Sequence, residues 1–277
     1  MLQEFFPVLD AVPMGDLWVL LIWGFLFMTV LMMALWLLHF KLQNAGVVNV
    51  GWAAGLACVG VFYAFKADGY APRRFLIGTM VLLWGGRLVW HFLSDRILGG
   101  KAEDPRYAAL RERWQHHVGL KLFFFFESQA VFVALLSFPF ALLALDPLQR
   151  ITGYEWLGLL LWVIAQAGES ISDAQLKQFK ADPDNQGQVC QEGLWYYSRH
   201  PNYFFEWLTW IAYFVMALAT PYGAWALFCP LLMLYFFLRG AGIPMTEAHT
   251  LQSRGEAYAE YQRTTRMFIP WPKKNVA

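Results

Sequence analysis

The chain is poor in charge: only 15% of its 277 residues are Asp, Glu, Lys or Arg, against about 25% in ordinary soluble domains. With 58% hydrophobic and 18% aromatic residues, that shortage excludes a conventional water-soluble domain and points to a membrane protein. Cysteine is scarce as well. Cys58, Cys190 and Cys229 are odd in number, far apart and without metal or redox spacing, so neither a disulfide framework nor a metal site is expected. The opening residues, MLQEFFPVLDAVPMGD, lack a basic segment. The apolar run after them has about twenty residues, too many for a signal-peptide core, and reads as a retained first span.

What is present is long apolar runs. A helix needs roughly 20 apolar residues to cross the hydrocarbon core, and seven stretches come close: Leu17 to Phe40, Val47 to Phe65, Phe75 to Leu98, Leu120 to Leu145, Tyr154 to Ser170, Tyr203 to Thr220 and Tyr222 to Gly242. The fifth is short and only Pro221 separates the last two, which leaves six or eight open; seven is the preferred count. Of the lysines and arginines outside these stretches, Lys66, Arg73, Arg74 and Arg150 fall on one side and all the others on the opposite side. Basic loops stay in the cytoplasm, so the N-terminus is expected outside and the C-terminus inside. The expected fold is a single all-α integral membrane domain over residues 1–277. A cytoplasmic surface helix is expected within 101–117, with Asp104 as N-cap, Pro105 in the first turn and Leu110 and Trp114 one turn apart. A cytoplasmic tail follows over 243–277.

Ionisable groups inside spans are costly and usually face a cavity or a partner. Here they are Arg87, Glu127, Glu169, Asp173, Glu206 and Glu247, with His91 one turn after Arg87. Arg87, His91 and Asp95 recur at i, i+4 and i+8, and Glu169, Asp173 and Lys180 at i, i+4 and i+11, so each set forms one helical stripe. A polar cavity accounts for them better than separate accidents. The stretch GLWYYSRHPNYFFEWLTW adds a helix start. Pro201 suits a first turn, and the free N–H groups there favour an anion, with Arg199 and His200 as further donors for phosphate. Asn202 and Glu206 lie one turn apart on one face.

That stretch resembles the C-terminal signature of the membrane-bound steroid 5α-reductase superfamily, in its bacterial 5α-reductase-like branch. NVGWAAG at Asn49 to Gly55, WGGRLVWHFLSDR at Trp84 to Arg96, EDPRY at Glu103 to Tyr107 and AYAEYQRTTRMFIPW at Ala257 to Trp271 agree with it. The resemblance implies seven helices, a bacterial inner membrane location, and NADPH bound from the cytosol in a cleft between the later spans, with the tail covering it. The implied reaction reduces an activated carbon–carbon double bond in a lipid-like substrate. Cofactor positions carried over are Asp95, Asp173, Lys180, Asn202 and Glu206, with Tyr258 and Tyr261 at the adenine end and Arg87, Glu169, Arg199, His200 and Tyr203 beside them. Glu169 and Gln188 stand where steroid-reducing members have an asparagine and an arginine.

At the reacting end, those members use a glutamate in the second span and a tyrosine in the third, where this sequence has Asn49 and Trp84. An amide still donates a hydrogen bond to a carbonyl, whereas tryptophan has no proton to give readily. His91 and Glu127 are the alternative proton donors. Expected partners are membrane lipids and a steroid, polyprenyl or fatty acyl substrate; nucleic acid is not among them. The RHPNY motif is also similar to that of isoprenylcysteine carboxyl methyltransferases, so an S-adenosylmethionine-dependent lipid methyltransferase is the alternative. A third reading, a non-catalytic lipid-binding scaffold, leaves the charged stripes unexplained.

Overall fold

The computed structural model describes residues 12–94, 103, 105–240 and 242–273. Among these the chain is helical, and the extended pairing is one isolated parallel bridge between Ser198 and Arg266. Its contacts divide it into two compact units, residues 1–153 with 217–226 and residues 154–216 with 227–277.

The first unit holds α1 (Met14–Leu42), α2 (Val47–Lys66), α3 (Ala71–Phe92), α4 (Pro105–Trp114), α5 (Val118–Leu136) and α6 (Phe138–Leu145). On α1, Leu17, Met28 and Met32 are buried, while Trp18, Ile22, Trp23, Val30 and Leu37 are each more than half exposed. An apolar face of that kind suits lipid rather than water. Small residues let α2 and α3 approach closely. A Cβ on Gly85 of α3 would lie 2.5 Å from the Ala57 Cβ and 3.1 Å from the Ala53 carbonyl of α2, neither of which can swing aside.

α3 starts four residues before the expected Phe75, because Pro72 is tolerated in a first turn and Arg73 is not a loop charge at all. Its fully buried guanidinium donates from Nη1 to the Asp146 carbonyl (2.9 Å) and from Nη2 to the Arg150 carbonyl (2.7 Å), with the Asp146 carboxylate 3.5 Å away. The backbone amides of Gly69 and Tyr70 donate to Ala144 and Asp146, so the α2–α3 turn is tied to the end of α6. The fourth expected stretch is interrupted at Ser137, since Pro139 in the first turn of α6 cannot continue the hydrogen-bond ladder of α5. The expected span end at Leu98 and the N-cap at Asp104 lie outside the described residues.

The second unit holds α7 (Gly153–Ala181), α8 (Leu194–Tyr197), α9 (Pro201–Ala217), α10 (Phe228–Arg239), α11 (Ile243–Arg254) and α12 (Glu256–Thr264). α7 continues well past Ser170. It stops where Pro183 disfavours a helical Asp182, and the Asp182 carboxylate then accepts from the Asp184 amide (3.0 Å) to start a 3₁₀ turn. α9 begins at Pro201, as the motif implies. The last expected stretch divides into a 3₁₀ turn at Gly223–Leu227 and α10, with α11 following after Gly242.

Among the described residues, five segments are long and apolar enough to cross a membrane: Met14–Leu42, Val47–Lys66, Ala71–Phe92, Val118–Leu145 and Gly223–Arg254. The chain therefore has the make-up of a multi-pass membrane protein. α7, with five ionisable residues along it, and α9, with 17 residues, are not among them.

Candidate functional site

Within the second unit, α7 and α9 run antiparallel and are joined by polar rungs. Trp162 Nε1 donates to the Tyr213 hydroxyl (3.1 Å), Gln166 Nε2 to Thr209 Oγ1 (2.9 Å), and Asn202 Nδ2 to Asp173 Oδ1 (3.4 Å). Each step of four or seven residues along α7 is matched by an equal step back along α9. The same register sets Glu169 opposite Glu206. Both are buried, at 4% and 7% exposure, and Glu206 Oε1 accepts from Trp210 Nε1 (3.1 Å). Two carboxyls on one buried rung are an unusual arrangement, because like charges out of water are costly to hold together. Gly158 and Gly168 of α7 permit the close approach: a Cβ at Gly158 would lie 2.8 Å from the Ala212 carbonyl.

The loop before α9 is built from both ends of the unit. Gly193 has φ +56°, and a Cβ there would collide with the Gln175 side chain, whose Oε1 accepts from the Leu194 amide (2.9 Å). Glycine alone meets both demands. Trp195 then donates from Nε1 to the Ser172 carbonyl (2.9 Å), which fixes α8 against α7.

Arg199 and His200 follow, and the protein itself engages them. Arg199 Nε donates to Glu247 Oε1 (2.7 Å) and Nη1 to the carbonyls of Thr265 (2.7 Å) and Gln262 (3.1 Å). His200 Nε2 lies 3.2 Å from the same Glu247 oxygen, Gln262 Nε2 donates to Glu247 Oε2 (3.0 Å), and the Tyr258 hydroxyl reaches Oε1 at 3.4 Å. Glu247 is thus the hub of a clasp joining the start of α9 to α11 and α12. Burial holds His200 below its ordinary pKa, opposed by Glu247 and aided by Arg199. Burial likewise raises the phenols of Tyr258 and Tyr261. Tyr261 donates to the Trp195 and Ser198 carbonyls.

Tyr203 is half-buried and stacked between His200 (5.6 Å, 16°) and Phe237 of α10 (5.0 Å, 17°). At the far end of α7, Lys180 borders an open cavity of about 350 Å³, shared with Phe179, Asp182, Asn185 and Arg254. Arg254 was not anticipated; nothing in the local sequence relates α11 to the end of α7.

The remaining sequence candidates belong to the first unit. Asn49 Oδ1 accepts from the hydroxyl of Tyr107 (2.9 Å), a buried residue of α4 for which the sequence had suggested no role. Glu103 holds α4 in place, accepting from Arg111 Nε (2.9 Å) and Nη2 (3.1 Å) and from the Ala45 amide (2.6 Å). Trp84 is fully buried and edge-on to Trp52 (5.8 Å). Arg87 and His91 are half-buried on α3, and Asp95, the third member of their stripe, lies outside the described residues. Glu127 of α5 has a buried Oε1 with no hydrogen-bond partner among the described residues.

A family described as proteins of unknown function, DUF1295, matches residues 35–265, from within α1 to the end of α12. The chain belongs to the DUF1295 family. This DUF1295 member is also 24% identical over 217 residues to a protein of Schizosaccharomyces pombe described as uncharacterised, covering 69% of the chain and 63% of the relative's length. The chain thus spans less than two thirds of that relative. No solved structure matches it.

Proposed function

We propose that this DUF1295 protein is an NADPH-dependent membrane reductase of an activated carbon–carbon double bond in a lipid-like substrate such as a steroid, polyprenyl or fatty acyl chain. The observation that carries this reading is the α7–α9 ladder, which gathers Glu169, Asp173, Asn202 and Glu206 on one seam beside the Tyr203 stack. These are the residues that the 5α-reductase resemblance marks for the cofactor. Their chemistry fits a nicotinamide nucleotide: carboxylates and an amide for carboxamide and ribose hydroxyls, aromatic faces for stacking, and the cations Lys180 and Arg254 at a cavity for phosphate. NADPH would supply the hydride. Within the first unit, this reading assigns the acceptor's carbonyl to Asn49, which Tyr107 holds, and the proton for the α carbon to Glu127 or His91. Arg199 and His200 serve by fixing the start of α9 and the Tyr258–Tyr261 helix through Glu247.

The same reading adds α7 and α9 to the five apolar segments as spans, making seven, with the N-terminus outside and the C-terminus cytoplasmic in a bacterial inner membrane. The alternative, an S-adenosylmethionine-dependent lipid methyltransferase, shares the RHPNY start of α9 but makes less use of paired cations. Thermal unfolding of detergent-purified protein with each ligand separates the two. A ligand at about a hundred times its Kd adds about 2.7 kcal/mol to the folded state. NADPH is expected to raise the midpoint; a rise with S-adenosylmethionine and none with NADPH overturns the reductase.

A further inference from the structure

The segment after α12 is woven into the start of α9. The Arg199 amide donates to the Arg266 carbonyl (2.9 Å), the Trp271 amide to the Tyr197 carbonyl (3.1 Å), and Ser198 Oγ to the Phe268 carbonyl (2.8 Å). Phe268 is buried and packs edge-on against Phe204 (5.8 Å) and Trp207 (5.7 Å) of α9. Those two are the fourth and seventh residues of the helix, so Phe268 sits about 5 to 9 Å along its axis at 1.5 Å per residue.

Around buried Phe268 the neighbouring side chains are exposed: Met267 at 38%, Ile269 at 57% and Trp271 at 61%. Tyr196 and Tyr197, just ahead of α9, are each 43% exposed. Lys273 lies 4.6 Å over the Tyr196 ring, and Arg266 is exposed beside them. Left in water, this contiguous patch of two tyrosines, a tryptophan, an isoleucine and a methionine would be a liability. Its composition is that of a membrane interface, where Trp and Tyr rings sit at headgroup level and long basic side chains reach phosphates. Its place matches too, because it is fastened to the first turns of α9, where a span would meet the headgroups.

We propose that residues 266–271, with Tyr196 and Tyr197, form an interfacial anchor: Ile269 and Trp271 insert at the headgroup–acyl boundary of the bilayer that α9 enters, and Arg266 faces lipid phosphates. The inference rests on reading α9 as a span.

The test uses the full chain in phospholipid nanodiscs with Cys58, Cys190 and Cys229 replaced by alanine. A nitroxide is placed at Ile269→Cys, Trp271→Cys, Ile211→Cys in mid-α9, or Glu256→Cys on the exposed face of α12, and its collisions with oxygen and with a water-soluble nickel chelate are measured. Positions 269 and 271 are more than half exposed, so neither label displaces a packed group. The expected oxygen-to-nickel ratio is highest at 211, lower but several-fold above the 256 value at 269 and 271, and lowest at 256. A ratio at 269 and 271 equal to that at 256 overturns the anchor, since the patch then faces water. Low accessibility to both reagents also overturns it, because another protein surface then covers the patch. If position 211 itself collides mainly with nickel, α9 is not a span and the premise fails, a result distinct from failure of the anchor alone.

Discussion

The two units handle polar groups in opposite ways. In the first, the polar pairs described above sit at element ends: Arg73 closes on Asp146 and Arg150, Glu103 joins α4 to the start of α2, and the helices meet through small residues such as Gly85. In the second, polar pairs run the length of a helix seam, from Trp162–Tyr213 to Asp173–Asn202, and continue into the Glu247 clasp. End-confined pairs set where helices start and stop and leave their faces free for lipid. A seam of pairs fixes two helices in rotation and register, which is what a site for a polar ligand requires.

The largest expected effect breaks the first pattern. Arg73→Ala leaves the Asp146 carboxylate buried without its cation, a loss of about 3–5 kcal/mol. Its thermal midpoint in detergent falls far below wild type, and the double change Arg73→Leu with Asp146→Leu recovers part of the loss.

Next, the seam divides by function if the reductase reading holds. Asn202→Ala and Glu206→Ala weaken NADPH binding at least tenfold, about 1.4 kcal/mol, in titrations that follow the midpoint. Gln166→Ala, farther along the same seam, lowers stability by about 1 kcal/mol and leaves NADPH affinity unchanged. Equal affinity in all three places the ligand elsewhere.

A smaller effect probes the clasp through pH. Because burial lowers the His200 pKa from 6.5, the unfolded chain takes up that proton more readily than the folded one. Its contribution to stability is therefore complete above pH 6.5 and is lost as pH falls below that value toward the lowered folded pKa. The midpoint difference between wild type and His200→Gln, followed as pH drops from about 7.5 to about 5.5, should shrink accordingly. A constant difference means that folding does not shift the imidazole's pKa, and a growing one that the fold holds it charged.

The smallest expected effect is on the surface of α12. Arg263 meets Glu260 (2.5 Å) and Glu256 (2.8 Å) with all three side chains more than half exposed, and water screens such pairs. Arg263→Ala leaves the midpoint within measurement error; a clear drop assigns that network a structural part.

How much of this was readable beforehand follows the range of each interaction. The start of α9 at Pro201 and the stripes through Glu169, Asp173 and Lys180 were legible, because helix caps and periodicity are local. That Asp173 meets Asn202 was foreshadowed by both being polar on apolar helices and by the resemblance that marks both for one cofactor. Arg73 was misplaced as a loop charge, since its partners lie more than seventy residues away at Asp146 and Arg150 and no local pattern marks them. Arg199 and His200 read as open donors for the same reason: Glu247, which engages both, reaches them only after α10 and α11 reverse the chain. Tyr107 and Asn49 each stood in a motif of the resemblance, but their pairing, 58 residues apart in sequence, had no local signal.

The bridge between Ser198 and Arg266 carries one more consequence. It closes a loop containing α9, α10, α11 and α12, and the free energy of closing a loop rises only slowly with its length. A few backbone hydrogen bonds near the chain's end therefore restrain four helices together. Amide hydrogens from Arg199 through Thr265 should exchange as one cooperative block, released in a single step when that short seam opens.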